Sequence, residues 1–554
     1  MSTTSRNRRL YAGVAGATVV ALALVACAQS PNEDPAETDP SESRTEVVVA
    51  WTGDINSMDP PNNPIEWNRE LSFATYETLV NHEFVESEAG SLVWTGLDVA
   101  PGLADSWEID GPTVTFHLNE DAVFYPSGNP VTAEDVYWSF DRALEHPGGY
   151  GLFNFNLAGI FSAPDQIEVI DDKTVSITFQ NSSGDPLLLP FSVTSLRFPH
   201  FGIIDSVAAQ EHATPEDPWA VSYLDWNTLG SGAYYVAERK ENEEIIFEAV
   251  PDYYRGQPAV TRVVATISAN ADLVALMKSG AVDIARAGLS NQQLDELEAS
   301  GFTVLTEAVP NIVRLALAMD DERLADPLVR KAIAYAIPYE QINNLVYSGR
   351  GEKAESIVNP LSPGFVEAWA QYDYDLAEAQ SLLEEAGVSS LELPVFYDIG
   401  MVGLEDIALL MQESFAEIGI TLELIGQPTT QLAADRLARI QGEDSPQTGL
   451  FLSQSTIWLD DPDPTIDSAV KSTGSFNWSR YDNPQVDALH LDNRFNQDFD
   501  ARADAYAEIQ EILAEELPLI PMIVTGRSAV VAPGLEGFAF TPDVMTRYNL
   551  LEWK

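Results

Sequence analysis

The sequence predicts an α/β protein of several lobes, and three observations carry that expectation. The chain has 554 residues, more than one hydrophobic core can organise, so two or three lobes are expected. Its apolar content of 45% and its eleven tryptophans belong to a folded chain with large buried clusters. Segments with strand alternation interleave with segments of helical periodicity over short connections, the pattern of α/β lobes.

In chain order, a basic start (Arg6, Arg8, Arg9) precedes an apolar stretch over 10–25 that is rich in small residues. That stretch is short for a membrane span and has the length of a signal-peptide core. It closes with Leu24-Val25-Ala26-Cys27, which contains the only cysteine of the chain. Small residues before a cleavage point suit a signal peptidase, and a cysteine directly after it resembles the bacterial lipobox. Residues 1–26 are therefore expected to be a signal peptide and Cys27 the lipidated N-terminus of the mature chain. With that cysteine lipidated, no disulfide or thiol chemistry remains. Residues 27–45 include AQSPNEDPAETDPSESR, too polar to bury a core, and are expected to tether the lipid to the folded body.

The folded body begins with the apolar strand EVVVAW at 46–51. Val114, Phe116 and Leu118 alternate along a second strand that turns His117 to its other face; Val175, Ile177 and Phe179 alternate along a third. Thr132 can cap a helix with Asp135 three positions on, and Val136, Phe140 and Ala143 then share one face. Asp326-Pro327 is an N-cap followed by proline in the first turn, ahead of Val329, Ala332, Ile333 and Ala336. Ile407, Leu410, Met411, Phe415 and Ile418 form another stripe, which stops at Gly419 and passes into the alternating strand Ile420, Leu422, Leu424.

The formal charge is −57, from 86 acidic and 29 basic residues, of which only seven are lysine. Such a surface excludes nucleic acid as a partner and leaves no basic face for a membrane. The six histidines are scattered, with no pair at helical ligand spacing. No nucleophile elbow, phosphate loop or dinucleotide fingerprint occurs. Among 86 acids, carboxylate pairs carry no information about glycosidase chemistry. No catalytic residue, metal site or cofactor is predicted.

Longer segments are more specific. Residues 102–107 read GLADSW and lead through TVTFHL into Ala122-Val123-Phe124-Tyr125, then Gly128-Asn129-Pro130-Val131-Thr132-Ala133-Glu134-Asp135-Val136, with Arg142 closing Ser139-Phe140-Asp141-Arg142. In this order and spacing they resemble the signature of the family 5 extracellular solute-binding proteins, the oligopeptide, dipeptide and nickel-binding lipoproteins of ABC importers. Ser57-Met58-Asp59-Pro60, Tyr76-Glu77-Thr78-Leu79-Val80, Gly230-Ser231-Gly232-Ala233-Tyr234 and Tyr253-Tyr254-Arg255-Gly256 resemble further segments of that family. So do Ala275-Leu276 with Gly280 and Asp283-Ile284, Val329-Arg330-Lys331-Ala332-Ile333, and Asn483-Pro484-Gln485-Val486-Asp487. One departure is Met319-Asp320, where the family often carries Asn-Thr.

The resemblance implies a three-lobed periplasmic-binding-protein-like fold (type II, cluster C-like) with a discontinuous first lobe. Lobe I would comprise 46–80, 220–300 and 520–554, lobe II 81–219 and lobe III 301–519, so that strands at 230–236 and 520–524 share a lobe. It also implies a monomeric, non-enzymatic receptor, lipid-anchored outside the cytoplasmic membrane, that captures a peptide and delivers it to an ABC permease and ATPase. An oligosaccharide, a metal chelate or a haem-like ligand fits the same scaffold. A secreted hydrolase of the cell envelope and a surface signalling or adhesion protein are readings from other classes. The ligand segment is Ser455-Thr456-Ile457-Trp458-Leu459-Asp460-Asp461-Pro462-Asp463-Pro464. By resemblance Asp460 would pair with a peptide's α-ammonium, with Asp461 in the variable place and Trp458 as an aromatic wall; Trp51 and Thr52 sit where the family brings backbone to ligand. A cation leaving water needs an opposing charge, which the segment supplies.

Overall fold

The computed structural model describes residues 44–554 apart from 63–64, 88–89, 147–162, 181–185, 190, 269–270, 308–310, 441–446, 457–459 and 542–544. Three sheets with separate cores define three lobes. The first is seven-stranded, in the order Thr303–Glu307, Arg527–Val531, Ile284–Ala285, Glu46–Trp51, Arg262–Ile267, Glu244–Ala249, Tyr234–Lys240. Glu46–Trp51 runs parallel to both of its neighbours. Its alternation puts Val47, Val49 and Trp51 into a core with Trp67, Phe247, Val263 and Tyr548. The second lobe carries an antiparallel four-stranded sheet, Ala104–Asp110, Thr113–Leu118, Thr174–Thr178, Ile167–Asp171. Helix Ala133–Glu145 packs beside it, opened by the Thr132–Asp135 capping box. His117 is half-buried on the face opposite Val114 and Phe116, as its parity requires.

The third lobe holds six strands in the order Glu352–Lys353, Leu519–Val524, Asn311–Leu317, Leu450–Thr456, Leu391–Asp398, Ile420–Gln427. Helix Pro327–Ala336 starts on the Asp326 cap, and helix Leu404–Ala416 buries Ile407, Met411 and Phe415 against this sheet. Met319-Asp320 also has its own chemistry here: the Asp320 carboxylate pairs with Arg439 and with Arg480 at 3.0 Å.

A first lobe drawn from distant chain segments is what the sheet order displays, but one strand lies elsewhere than expected. Leu519–Val524 does not join the sheet of Tyr234–Lys240; it pairs with Asn311–Leu317 in the third lobe, where Ile520, Met522 and Ile523 are fully buried. The neighbouring strand Arg527–Val531 enters the first lobe instead, beside Thr303–Glu307. The run LIPMIVTGRSAVV supplies two strands, and its polar break Thr525-Gly526-Arg527 is where the chain changes sheets. A Cβ on Gly526 would stand 2.6 Å from the Arg350 carbonyl oxygen and 2.7 Å from Thr306 Cγ2, so only glycine fits. The chain thus passes between the first and third lobes from Val524 to Arg527, and Glu307 and Asn311 end neighbouring strands of the same two sheets.

Candidate functional site

Thr525, Gly526 and Arg527, at the Val524 to Arg527 crossing, line a cavity of about 410 Å³ with walls from both lobes. The first lobe contributes Arg286, Arg527 and Ser528; the third contributes Asn311, Tyr347, Gln454 and Thr525. The floor is held by hydrogen bonds across the break: the Thr525 backbone N–H donates to the Asn311 carbonyl (2.8 Å), and Thr306 and Ser528 hydroxyls lie 2.8 Å apart. A larger groove of about 770 Å³ beside Tyr339 and Lys353 is walled by the third lobe alone.

The electrostatics of the cleft come from two arginines in different states. Arg286 follows the short strand Ile284–Ala285, and its Nε donates to Glu70 at 2.8 Å, with Glu66 3.3 Å away. Burial works to lower its pKa, but Glu70 and Glu66 hold it above its usual range. Its guanidinium lies 4.4 Å from the Trp67 ring centre, and Trp67 stacks on Trp51 at 5.3 Å. Glu70 also accepts from Trp51 Nε1 (3.0 Å) and the Tyr548 hydroxyl (2.6 Å). Arg527 has no such support: among the described residues no carboxylate lies within ion-pairing distance of it. Burial lowers its pKa; Glu66 opposes that, while Arg286 and Arg69 add to it. Opposite, the Tyr347 hydroxyl is buried without a hydrogen-bond partner among the described residues, and burial pushes its pKa up to about 12. An unpaired cation and an unused hydroxyl facing one cavity suit an anionic group.

The residues expected from sequence fall elsewhere. Asp460 does not line this cavity. It is 0% exposed and accepts from Trp94 Nε1 at 2.8 Å and from the Asn359 amide, with Arg197 at 3.6 Å. Burial raises its pKa, and Arg197 offsets only part of that. Asp461 forms a bidentate pair with Arg502 at 2.7 and 2.8 Å. Asp463 takes His490 at 2.9 Å, the Tyr506 hydroxyl at 2.7 Å and Arg494 at 3.2 Å. The acidic segment is therefore a row of buried carboxylates, each with its own donors. The Trp51 ring lies in the first-lobe core, stacked on Trp67 and hydrogen-bonded to Glu70, the two residues that hold Arg286 of the cleft. Thr52 is half-buried beside Gly288, where a Cβ would meet its methyl at 2.9 Å. Trp458 and Cys27 lie outside the described residues.

Sequence reasoning missed Arg286, Arg527 and Tyr347. The available signal was an arginine inside an apolar run of a chain poor in basic residues, as in VTGRSAVV.

Residues 98–477 match the model of the bacterial extracellular solute-binding proteins, family 5 Middle. The chain is 26% identical over 548 residues to Heme-binding protein A of Haemophilus influenzae, covering 94% of this chain and 95% of that one. It is 25% identical over 520 residues to the probable D,D-dipeptide-binding periplasmic protein of Escherichia coli, covering 91% and 93%. The solved structure of HbpA2 from Haemophilus parasuis has the same fold, with a TM-score of 0.78 at 22% identity over 92% of this chain and 100% of the other.

Proposed function

This chain belongs to the family 5 bacterial extracellular solute-binding proteins, and we propose that it is an extracytoplasmic receptor that encloses a peptide between its first and third lobes and delivers it to an ABC permease and ATPase. The observation that carries this reading is the cavity of about 410 Å³ lined by Thr525, Gly526 and Arg527 and walled by both lobes. A short crossing such as Val524 to Arg527 lets the lobes open and close about it, as a receptor must to admit and then surround its ligand.

A receptor that accepts varied side chains draws its affinity from groups common to all peptides, the charged termini and the backbone. Arg527 is the proposed partner of the terminal carboxylate, supported by the absence of an ion-paired carboxylate on it among the described residues. Asp460 is the proposed partner of the α-ammonium. Of its donors Trp94 and Asn359 are neutral and Arg197 stands off at 3.6 Å, so its charge is less fully balanced than that of Asp461. Reaching it requires the lobes to part around Trp94 and Arg197.

Calorimetry with a tetrapeptide, its N-acetyl form and its C-terminal amide tests the assignment. Removing one charge of an enclosed pair costs about 2–5 kcal/mol, so acetylation should weaken binding to the wild type and add little in Asp460→Asn. Amidation should do the same with Arg527→Met. If acetylation costs the wild type nothing, Asp460 only joins lobes; if no peptide binds, the peptide reading fails.

A second ligand class, an anionic haem-like or metal-chelate ligand, draws support from the 26% identity over 548 residues to a protein named Heme-binding protein A. Its carboxylates would meet Arg527. The hydrolase reading loses its footing in a family of solute receptors.

Anchoring through Cys27 completes the proposal. Lipidated protein should partition into the detergent phase, and Cys27→Ser should remain unprocessed or be shed. Equal soluble recovery of both forms would remove the lipobox reading.

A further inference from the structure

Between the strand Leu391–Asp398 and the helix Leu404–Ala416 the chain makes a tight turn, Ile399-Gly400-Met401-Val402. Its backbone is tied down. The Gly400 N–H donates to the Asp398 carboxylate (2.8 Å), the Ile399 N–H to the Gln427 carbonyl (3.0 Å) and the Met401 N–H to the Asp398 carbonyl (3.2 Å). Its side chains are not covered: Ile399, Met401 and Val402 are 57%, 42% and 89% exposed, and Val402 is the most exposed large apolar side chain among the described residues. Single apolar side chains on a surface need no explanation, but a fixed turn that presents three together marks a contact surface.

Met401 and Val402 line the interlobe cavity of about 410 Å³, to which the first lobe contributes Leu289 and Leu294. The turn also adjoins Tyr347. A Cβ on Gly403 would stand 3.8 Å from the Tyr347 hydroxyl oxygen, the group that is buried without a hydrogen-bond partner among the described residues. No carboxylate is among the described residues that line this cavity. Of its two arginines, Arg286 is committed to Glu70 and Glu66, whereas Arg527 has no ion-paired carboxylate among the described residues. The cavity thus offers one uncommitted cation, one unused hydroxyl and an aliphatic wall drawn from both lobes.

We propose that Leu289, Leu294, Met401 and Val402 form the subsite for the side chain of a peptide's C-terminal residue, which makes the receptor selective for peptides ending in a large aliphatic residue. The proposal rests on the peptide reading of the cleft and on Arg527 as partner of the terminal carboxylate. In a C-terminal residue the carboxylate and the side chain leave the same carbon, so a carboxylate held at Arg527 and Tyr347 carries its side chain to the adjoining wall. A C-terminal aspartate would bring a second anion with no second uncommitted cation to meet it. A C-terminal lysine would bring its ammonium toward two guanidinium groups. The volume lies near the lower end of the roughly 300–1,000 Å³ of ligand pockets, which suits the end of a peptide and not a long chain.

The test is calorimetry on the full mature protein with Ala-Ala-Ala-Leu, tetra-alanine, Ala-Ala-Ala-Asp and Ala-Ala-Ala-Lys. Each buried methylene is worth about four-fold in affinity, and the wall encloses the side chain only in part, so the leucine peptide should bind about ten-fold tighter than tetra-alanine. The aspartate and lysine peptides should bind more weakly than tetra-alanine. Replacing the exposed pair together, Met401→Ser with Val402→Ser, should cut the leucine advantage to about three-fold or less and cost tetra-alanine about two-fold or less. If the wild type binds all four peptides alike, the subsite is overturned and the peptide reading stands. If the double variant weakens the leucine peptide and tetra-alanine by the same factor, the turn serves lobe closure alone and the proposal is overturned. If no tetrapeptide binds, the peptide reading fails and this subsite with it.

Discussion

Trp94 Nε1 donates to Asp460 Oδ2 at 2.8 Å across 366 residues of chain. Trp94 packs in the first-lobe core, Asp460 belongs to the third lobe, and Arg197 of the second lobe stands 3.6 Å from the same oxygen. All three lobes meet at one carboxylate. Its burial follows from that meeting, and the same meeting sets what its removal does.

Asp460→Asn removes the carboxylate that stands 3.6 Å from the buried Arg197. The change also removes a carboxylate whose charge burial disfavours, so the two effects largely offset and the midpoint of chemical denaturation should fall by about 1 kcal/mol or less. Trp94→Phe, which removes one donor and keeps the charge, should cost about 1–2 kcal/mol. A larger loss in Asp460→Asn than in Trp94→Phe would mean that the ion pair outweighs the cost of burying it.

Gly526→Ala forces a methyl to within 2.6 Å of the Arg350 carbonyl oxygen and 2.7 Å of the Thr306 methyl. Overpacking of this kind costs about 1–3 kcal/mol, read by urea denaturation. Because the strain falls at a crossing, the ligand-induced decrease in radius of gyration measured by solution scattering should also shrink. A full decrease with unchanged stability would show that the crossing has room.

Acid should weaken the fold through Asp59 and Asp463. Burial works to raise the Asp59 carboxyl, but Arg142 at 2.5 Å and His146 at 3.1 Å outweigh it and hold it below the usual range. Asp463 behaves alike, with His490 and Arg494 overcoming burial. The unfolded chain therefore binds protons more readily at these sites. Their contribution is full above the ordinary carboxyl value of about 3.9 and is lost as pH falls through the lower folded values. Asp460, raised by burial, works in the opposite sense and favours the fold on protonation. Denaturation midpoints between pH 6 and pH 3 should fall for the wild type and fall less steeply for Asp59→Asn; parallel curves would exclude Asp59 as a source.

Thr132→Ala removes half of the capping box that opens the helix Ala133–Glu145. A loss of about 1 kcal/mol is expected. Thr132→Ser should retain most of the stability, and a Ser variant as weak as Ala would assign the effect to the methyl group instead.

Local chemistry was legible in the sequence. The Thr132–Asp135 box, the Asp326 cap, the stripe ending at Gly419 and the alternation about His117 all depend on neighbours within a few positions, where side-chain spacing and backbone hydrogen bonding are set together. The α/β class and the family followed from those segments in order. Partnership over distance did not. Nothing local separates Leu519–Val524 from Arg527–Val531, since both are apolar strands; which sheet each joins depends on the surface it buries after the lobes assemble. Asp460 and Asp461 look alike in sequence, yet one meets Trp94, Asn359 and Arg197 and the other a bidentate Arg502 and the Asp463 backbone N–H. Arg314 and Arg436 come together on Trp478 only because a strand, a helix and a loop pack into one core. Charge is written in the sequence, but the compensation of a buried charge belongs to the tertiary structure, because it depends on which groups leave water together.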